Sequence, residues 1–285
     1  MTVWFIDRSL LSAITCMIVS CTANILAEAA TTTVVKTIEA PEAFQGVAVD
    51  ERFVYAIDTK AIAKYDKKTG KRIAGWKSSD KDKIIHLDSG VIVDKKLYAG
   101  HSNYPHVPMD SSVEIWDAQT LKHIDTIPLG RAYGSCTWID RYAGAWWICY
   151  AHYEGKGGYD GIGPERTMLV KYDDGFKELQ KWTFPGEVIE RFSPFSCSGG
   201  SWGPDGRLYC SGHDRPELYA LRLPDTGTVL ELVRTIQIES TGQGVAWDRT
   251  QRNMICTIKR EERLIVFNSV GSAVLQVFQS EQDRP

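Results

Sequence analysis

The stretch Gln45-Gly46-Val47-Ala48-Val49-Asp50 returns almost unchanged as Gln243-Gly244-Val245-Ala246-Trp247-Asp248. The likeness extends upstream, VVKTIEAPEAFQGVAVD lying beside VRTIQIESTGQGVAWD. Weaker copies stand between them at Ser89-Gly90-Val91-Ile92-Val93-Asp94, at Ser135-Cys136-Thr137-Trp138-Ile139-Asp140 and at Gly199-Gly200-Ser201-Trp202-Gly203. Anchored at positions 46, 90, 136, 200 and 244, the copies are 44, 46, 64 and 44 residues apart. Repeats of about 40–50 residues are the size of propeller blades, whereas helical repeats of that length need long amphipathic helices that this chain lacks.

Each repeat divides into four short β-rich segments. The first reads QGVAVD, FVYAID, AIAKYD and KRIAGW; the second SGVIVD, KLYAG, SVEIWD and HIDTIPL. The third reads SCTWID, WWICYAH, TMLVKYD and ELQKWTF; the fourth CSGGSW, RLYCSG, ELYALRL and LELVRTIQI. The fifth reads QGVAWD, NMICTIK, RLIVFN and AVLQVF. Turn signals such as Lys68-Thr69-Gly70, Pro204-Asp205-Gly206 and Asp225-Thr226-Gly227 fall between segments, where hairpins need them. The expected fold is an all-β propeller of five four-stranded blades, with six as the alternative. The early VVKTI segment competes with AVLQVF for the outer strand of the last blade, and either would close the ring and remove its free edges.

The 33 basic and 36 acidic residues leave a formal charge of −3 with no basic block, which excludes the electrostatic footprint of a nucleic-acid binder. Residues 1–29 read as an export signal: Arg8 ends a short n-region, and Ser9–Ser20 is apolar but too short to span a bilayer. Two processing sites follow. Ala27-Glu28-Ala29 gives a mature start at Ala30, and Ile18-Val19-Ser20-Cys21 gives a lipobox with a lipid anchor on Cys21. The expected product is a periplasmic or secreted domain over 30–285, or a membrane-anchored lipoprotein, with no transmembrane segment in the mature chain. Cys136/Cys149 and Cys197/Cys210 are two pairs of equal spacing across turns, which reads as two cross-strand disulfides or as buried small apolar residues.

In a propeller the loops between blades and those between strands two and three share one face, and here they are the long ones: 101–112 and 152–166. His101, His152 and His213 each close a second strand, and His86 lies in the loop entering the second blade. Imidazoles meeting at a channel mouth suit a divalent metal ion, with His101, His152 and His213 as ligands. They equally suit acid/base chemistry or a structural role repeated from blade to blade. His123 reads as solvated surface. Arg131, Glu190 and Arg191 join His86 as candidate catalytic groups, since Arg holds carboxylates in a bidentate grip; each Arg can instead pair with a neighbouring Glu. Tyr104, His106, Tyr153 and Arg215 are candidate substrate contacts, the tyrosines stacking on a sugar or aromatic ring or packing their loops. Gly199–Gly203 matches G-x-S-x-G, yet a turn and another strand follow it rather than a helix, so a nucleophile elbow is excluded.

At HSNYPHVPMDSSVEIWD (101–117), GSCTWIDRYAGAWWICYAHYE (134–154), FPGEVIERFSPFSCSGGSWGPDGRLYCSGHDRPELYALRLP (184–224) and GQGVAWDR (242–249) the chain resembles a family of exported bacterial β-propellers often labelled cycloisomerases. The resemblance implies ring opening or closing of an unsaturated carboxylate, with His101, His152, His213 and Arg191 mapped onto the proton donor and the carboxylate holder. Two functions are therefore expected as alternatives. One is a lyase or isomerase acting on a small anionic or sugar-derived molecule; the other is a non-catalytic propeller that binds a ligand or protein through the same face.

Overall fold

The aspartate that ends each member of the best repeat pair shapes the turn after it. Asp50 accepts the backbone N–H groups of Arg52 and Phe53 and the Tyr55 hydroxyl, and Asp248 accepts the N–H and hydroxyl of Thr250. Asp66, Asp117 and Asp173 do the same between strands three and four, each accepting two backbone N–H groups from the residues that follow. An Asp side chain that bonds the backbone two or three residues on is a preformed turn, and it sets where each strand stops.

The computed structural model describes Met1 and residues 30–79 and 83–271. Its strands fall into five antiparallel groups in chain order. The first holds β2 (Gly46–Val49), β3 (Phe53–Asp58), β4 (Ala61–Asp66) and β5 (Arg72–Lys77). The second holds β6 (Leu87–Val93), β7 (Lys96–Ser102), β8 (Ser111–Asp117) and β9 (His123–Gly130). The third holds β10 (Ser135–Tyr142), β11 (Ala145–Ala151), β12 (Met168–Tyr172) and β13 (Glu178–Thr183). The fourth holds β14 (Gly199–Trp202), β15 (Leu208–Ser211), β16 (Glu217–Arg222) and β17 (Glu231–Gln237). The fifth holds β18 (Val245–Trp247), β19 (Met254–Lys259) and β20 (Leu264–Val270), and its outer strand is β1 (Ala30–Glu39), antiparallel to β20.

These groups stack because their middle strands are apolar on both faces. Along β3, Val54 and Ala56 enter the core shared with the fifth group, while Tyr55 and Ile57 enter the core shared with the second. Along β11, Trp146, Ile148 and Tyr150 face the second group, and Trp147 and Cys149 face the fourth. Successive side chains point to opposite faces, so a strand sandwiched between two neighbours reads as an unbroken apolar run. Five such cores lie one between each successive pair of groups, the last joining the fifth to the first.

The inner strands touch in a ring, β2 to β6, β6 to β10, β10 to β14, β14 to β18 and β18 back to β2. The chain is an all-β propeller. Crowding at the axis explains the glycine of the repeat: a Cβ on Gly46 would lie 2.6 Å from the Asp88 backbone, and one on Gly244 would lie 2.7 Å from the Gly46 Cα. The contest for the outer strand of the last group goes to the early segment, since β1 pairs with β20 from Thr32↔Val270 to Glu39↔Leu264. AVLQVF, the export signal and Cys21 lie outside the described residues. No helix among the described residues is long and apolar enough to cross a membrane.

The disulfide expectation is corrected. All five cysteines among the described residues carry free thiols. Cys136 sits opposite Tyr150 and Cys149 opposite Trp138, and the two thiols enter different cores on opposite faces of the sheet. A bulge between Cys136 and Trp138 shifts the register that equal spacing suggested. Cys197 and Cys210 do share a core, where Cys197 Sγ accepts the Trp138 indole N–H at 3.3 Å and contacts the thiols of both Cys149 and Cys210. Burial pushes the Cys149 and Cys210 thiols up, so they are small apolar fillers rather than nucleophiles.

Candidate functional site at the channel mouth

The head of each inner strand sends one polar side chain to the axis. Gln45, Asp88, Thr137, Ser198 and Gln243, one from each group, line a single cavity of about 60 Å³. A collar of rings from the flanking loops covers them: His86, Tyr104, Tyr153, Phe195 and His213. His86 meets Tyr104 at 4.8 Å and Tyr104 meets Tyr153 edge-on at 5.3 Å, while Phe195 stacks on His213 at 4.0 Å. The combination of a polar floor with aromatic walls suits a polar group that has flat or C–H-rich faces beside it.

Asp88 is the chemical centre of the floor. It is 4% exposed, and burial raises its carboxyl well above the ordinary carboxylate range, favouring the protonated form. His86 Nε2 lies 3.7 Å from Asp88 Oδ2, which is too long for a hydrogen bond. Burial first, and then the neighbouring His101, push the His86 imidazole down to about 4. Burial thus pushes the carboxyl towards its protonated form and the imidazole towards its neutral form, which disfavours an ion pair. Burial also raises the Tyr104 and Tyr153 phenols, so both keep their O–H donors.

Gln243 is built for this place. Its backbone takes the left-handed conformation, φ 64°, its N–H donates to Gly212 O, and its carbonyl accepts the Ser211 hydroxyl. Its side-chain amide nitrogen is buried without a partner. An unpartnered buried donor is rare enough in native structures that a ligand or water acceptor is its natural complement. The other polar groups are tied down: Thr137 donates its hydroxyl to Cys197 O at 2.8 Å, and Ser198 donates to Ser196 O.

The structure therefore gathers His86, Tyr104, Tyr153 and His213 from the sequence-derived set. It does not bring His101, His152 and His213 together. His101 Nε2 accepts the Ile85 N–H at 3.2 Å, and its Nδ1–H donates to Ser112 Oγ at 2.8 Å, beside a different groove. His152 Nε2–H donates to Tyr133 O at 3.0 Å. His213 accepts from Arg260 at Nε2 and donates to Asp214 from Nδ1. The reason is register: His101 lies inside β7, while His152 is one residue and His213 two residues past the ends of β11 and β15. One residue of slip sends a side chain to another face. Among the described residues no three His, Cys, Asp or Glu side chains form a ligand set.

Nor do the candidate charges reach the mouth. Arg131 pairs with Asp110 at 3.0 Å, and Arg191 lies on both Glu217 oxygens at 2.9 Å. Glu190, Arg215 and His106 are exposed outside the cavity lining. His123, expected as surface, instead donates to buried Glu114 at 2.8 Å. Asp88 and Thr137 were missed because bulges between Leu87 and Gly90 and between Cys136 and Trp138 shift the strand heads against the repeat, and Ser198 because it lies just ahead of β14. Gln45 and Gln243, the invariant-looking first letters of the best repeat pair, carried the one available signal.

No protein-family model and no curated protein matches the sequence. Solved structures that are similar include a chain of the mitotic checkpoint complex, at 11% identity and TM-score 0.48, covering 95% of this chain and 99% of that one. A PQQ-bound aldose sugar dehydrogenase from Streptomyces coelicolor is similar at 14% identity and TM-score 0.49, over 81% and 79% of the two chains. The WD40 β-propeller domain of Doa1 is similar at 10% identity and TM-score 0.44, over 86% and 98%.

Proposed function

We propose that the channel mouth binds a small uncharged, sugar-derived molecule and moves a proton on it, as an isomerase or lyase does. The observation that carries this reading is a carboxyl pushed towards its protonated form 3.7 Å from an imidazole pushed towards its neutral form, in one cavity with amide and hydroxyl groups. Paired titratable groups whose surroundings push their pKa values apart are the signature of an acid and a base with separate tasks. His86 Nε2 takes a proton from the carbon next to a carbonyl, and Asp88 gives its proton to that carbonyl oxygen, forming an enol. Reversal at the neighbouring carbon returns both protons and leaves an isomer. Gln45 and Gln243 hold the ligand hydroxyls, and the Tyr104 and Tyr153 rings cover its apolar face.

Between the anionic and the sugar-derived ligand of the initial expectation, the geometry favours the second. The arginines that would hold a carboxylate are engaged elsewhere, and the cavity lining contains no Arg or Lys. We further propose export; N-terminal sequencing of the processed protein, starting at Ala30 or blocked at a lipidated Cys21, decides the route.

The test is a panel of aldoses, ketoses, sugar lactones and sugar acids against the full chain, read by calorimetry and by deuterium wash-in from solvent. Saturable binding of neutral sugars, with wash-in that Asp88→Asn slows by about a hundredfold or more, is the expected result. Binding restricted to the acids, or wash-in equal in the Asp88→Asn protein, overturns the reading. Absence of any small-molecule binding leaves the protein-binding alternative in its place.

A further inference from the structure

The inner strands run from the mouth to the opposite end of the channel, where the turns into the second strands surround another groove. It encloses about 580 Å³ and is lined by Arg141, Tyr142, Trp202, Trp247, Arg249 and Arg252, with small and polar residues between them and no acidic side chain. Thr137, Ser198 and Gln243 at the mouth each precede a groove residue by four positions, Arg141, Trp202 and Trp247, which is about 13 Å of extended strand. The two sites are separate.

Three features of the groove are unexplained by folding alone. The Trp202 and Trp247 indole N–H groups and Arg141 Nη1 are buried without partners. Both tryptophans are 2% exposed, so neither donor gains a bond from bulk water. Arg252 is exposed and has no acidic partner among the described residues, while Arg249 is anchored to buried Asp140 at 2.6 Å and Arg141 to Asp174. Finally, Tyr142 lies parallel to Trp202, 9° between planes and 4.8 Å between centres, and is only half-buried, so its outer face continues the stack.

We propose that this groove binds a flat aromatic molecule carrying one anionic group, a carboxylate or a phosphate. The ring lies on the exposed face of Tyr142, as stacked aromatic pairs prefer, and the anion takes the fork of Arg252 beside Arg249. Asp140 serves as the fixed support: it accepts the Ser201 hydroxyl and the Trp202 N–H as well as Arg249, so the groove floor and its cation move as one piece.

The test titrates the full chain with phenyl phosphate and with benzoate, against inorganic phosphate and benzamide as half-ligands, following tryptophan fluorescence and equilibrium dialysis. At least one of the two aromatic anions binds saturably, and which one does so identifies the anionic group. Each half-ligand binds at least about tenfold more weakly. Arg252→Gln weakens the aromatic anion about tenfold with the melting temperature unchanged, since its side chain is exposed. Tyr142→Leu weakens it comparably. No saturable binding, inorganic phosphate binding as tightly as phenyl phosphate (an adventitious ion only), or unchanged affinity in Arg252→Gln overturns the proposal. The Arg252 variant alone decides the matter if Tyr142→Leu fails to fold.

Discussion

Four residues of inner strand separate Gln243 from Trp247, and across that distance the channel changes character. The mouth carries amides, hydroxyls, an acid pushed towards its protonated form and an imidazole pushed towards its neutral form. The far end carries three arginines over a bed of tryptophans. The mouth is walled by neighbouring blades, so burial disfavours charge on its groups. The far end is an open turn region where the Arg249 and Arg252 side chains are exposed. One repeat thus yields two environments because the strand heads are sealed and the strand ends are not. Burial, more than residue type, decides which chemistry each end can carry.

The largest effect expected on this contrast comes from the axis itself. Gly46→Ala places a methyl 2.6 Å from the Asp88 backbone, so it destabilises the protein by about 1–3 kcal/mol or more and disables the mouth, while the arginine groove keeps its ligand in whatever folds. Chemical denaturation together with binding at both ends checks it. If the variant is as stable as the parent, the inner-strand ring is looser than described.

Asp88→Asn is expected next, with opposite signs on stability and function. The native carboxyl stays protonated well above 3.8 whereas the unfolded one ionises there, so the native state loses stability as pH rises past that value. The amide removes the penalty. Melting temperature at neutral pH rises by about 2–4 °C for each kcal/mol recovered, while proton transfer at the mouth collapses. A thermal melt that falls instead would mean Asp88 is a structural anchor.

His86 gives the complementary slope. Its native value of about 4 lies below the 6.5 of an ordinary imidazole, so the unfolded chain takes up a proton that the native state refuses. Stability contributed by this group is full above about 6.5 and is lost as pH falls towards 4. His86→Gln flattens that window, and melts recorded from pH 7 to pH 4 show whether it does.

How far this was legible from residues alone follows the same division. The repeat QGVAVD/QGVAWD, the apolar runs FVYAID and WWICYA and the Asp-led turns are local signals, and the strands lie where they point. The collar was legible too, because long loops at the strand-two ends could reach only one face. What could not be read was register. A bulge near Ser89 brings Asp88 to the axis, and a two-residue difference in where β7 and β11 stop relative to their histidines sends His101 and His152 to different partners. Such shifts depend on packing against the next blade, which no local pattern encodes.

The smallest effect is expected from the exposed charges. Arg131→Ala and Arg215→Ala change stability by less than about 0.5 kcal/mol and leave both ends of the channel as they were. A large loss of mouth binding in either would return a carboxylate holder to the site.

One arrangement described above bears on how the protein comes into being. The strand that completes the last sheet, β1, precedes all the others in the chain, and its partners run from Leu264 to Val270. A ribosome or a translocation pore delivers β1 first and β20 last. For nearly the whole of synthesis the earliest strand therefore has no mate, and the sheets assembled behind it cannot join into a circle. Closure waits for β20, so a product cut short anywhere before that strand leaves an open, edge-exposed arc that a protease can tell apart from the closed ring.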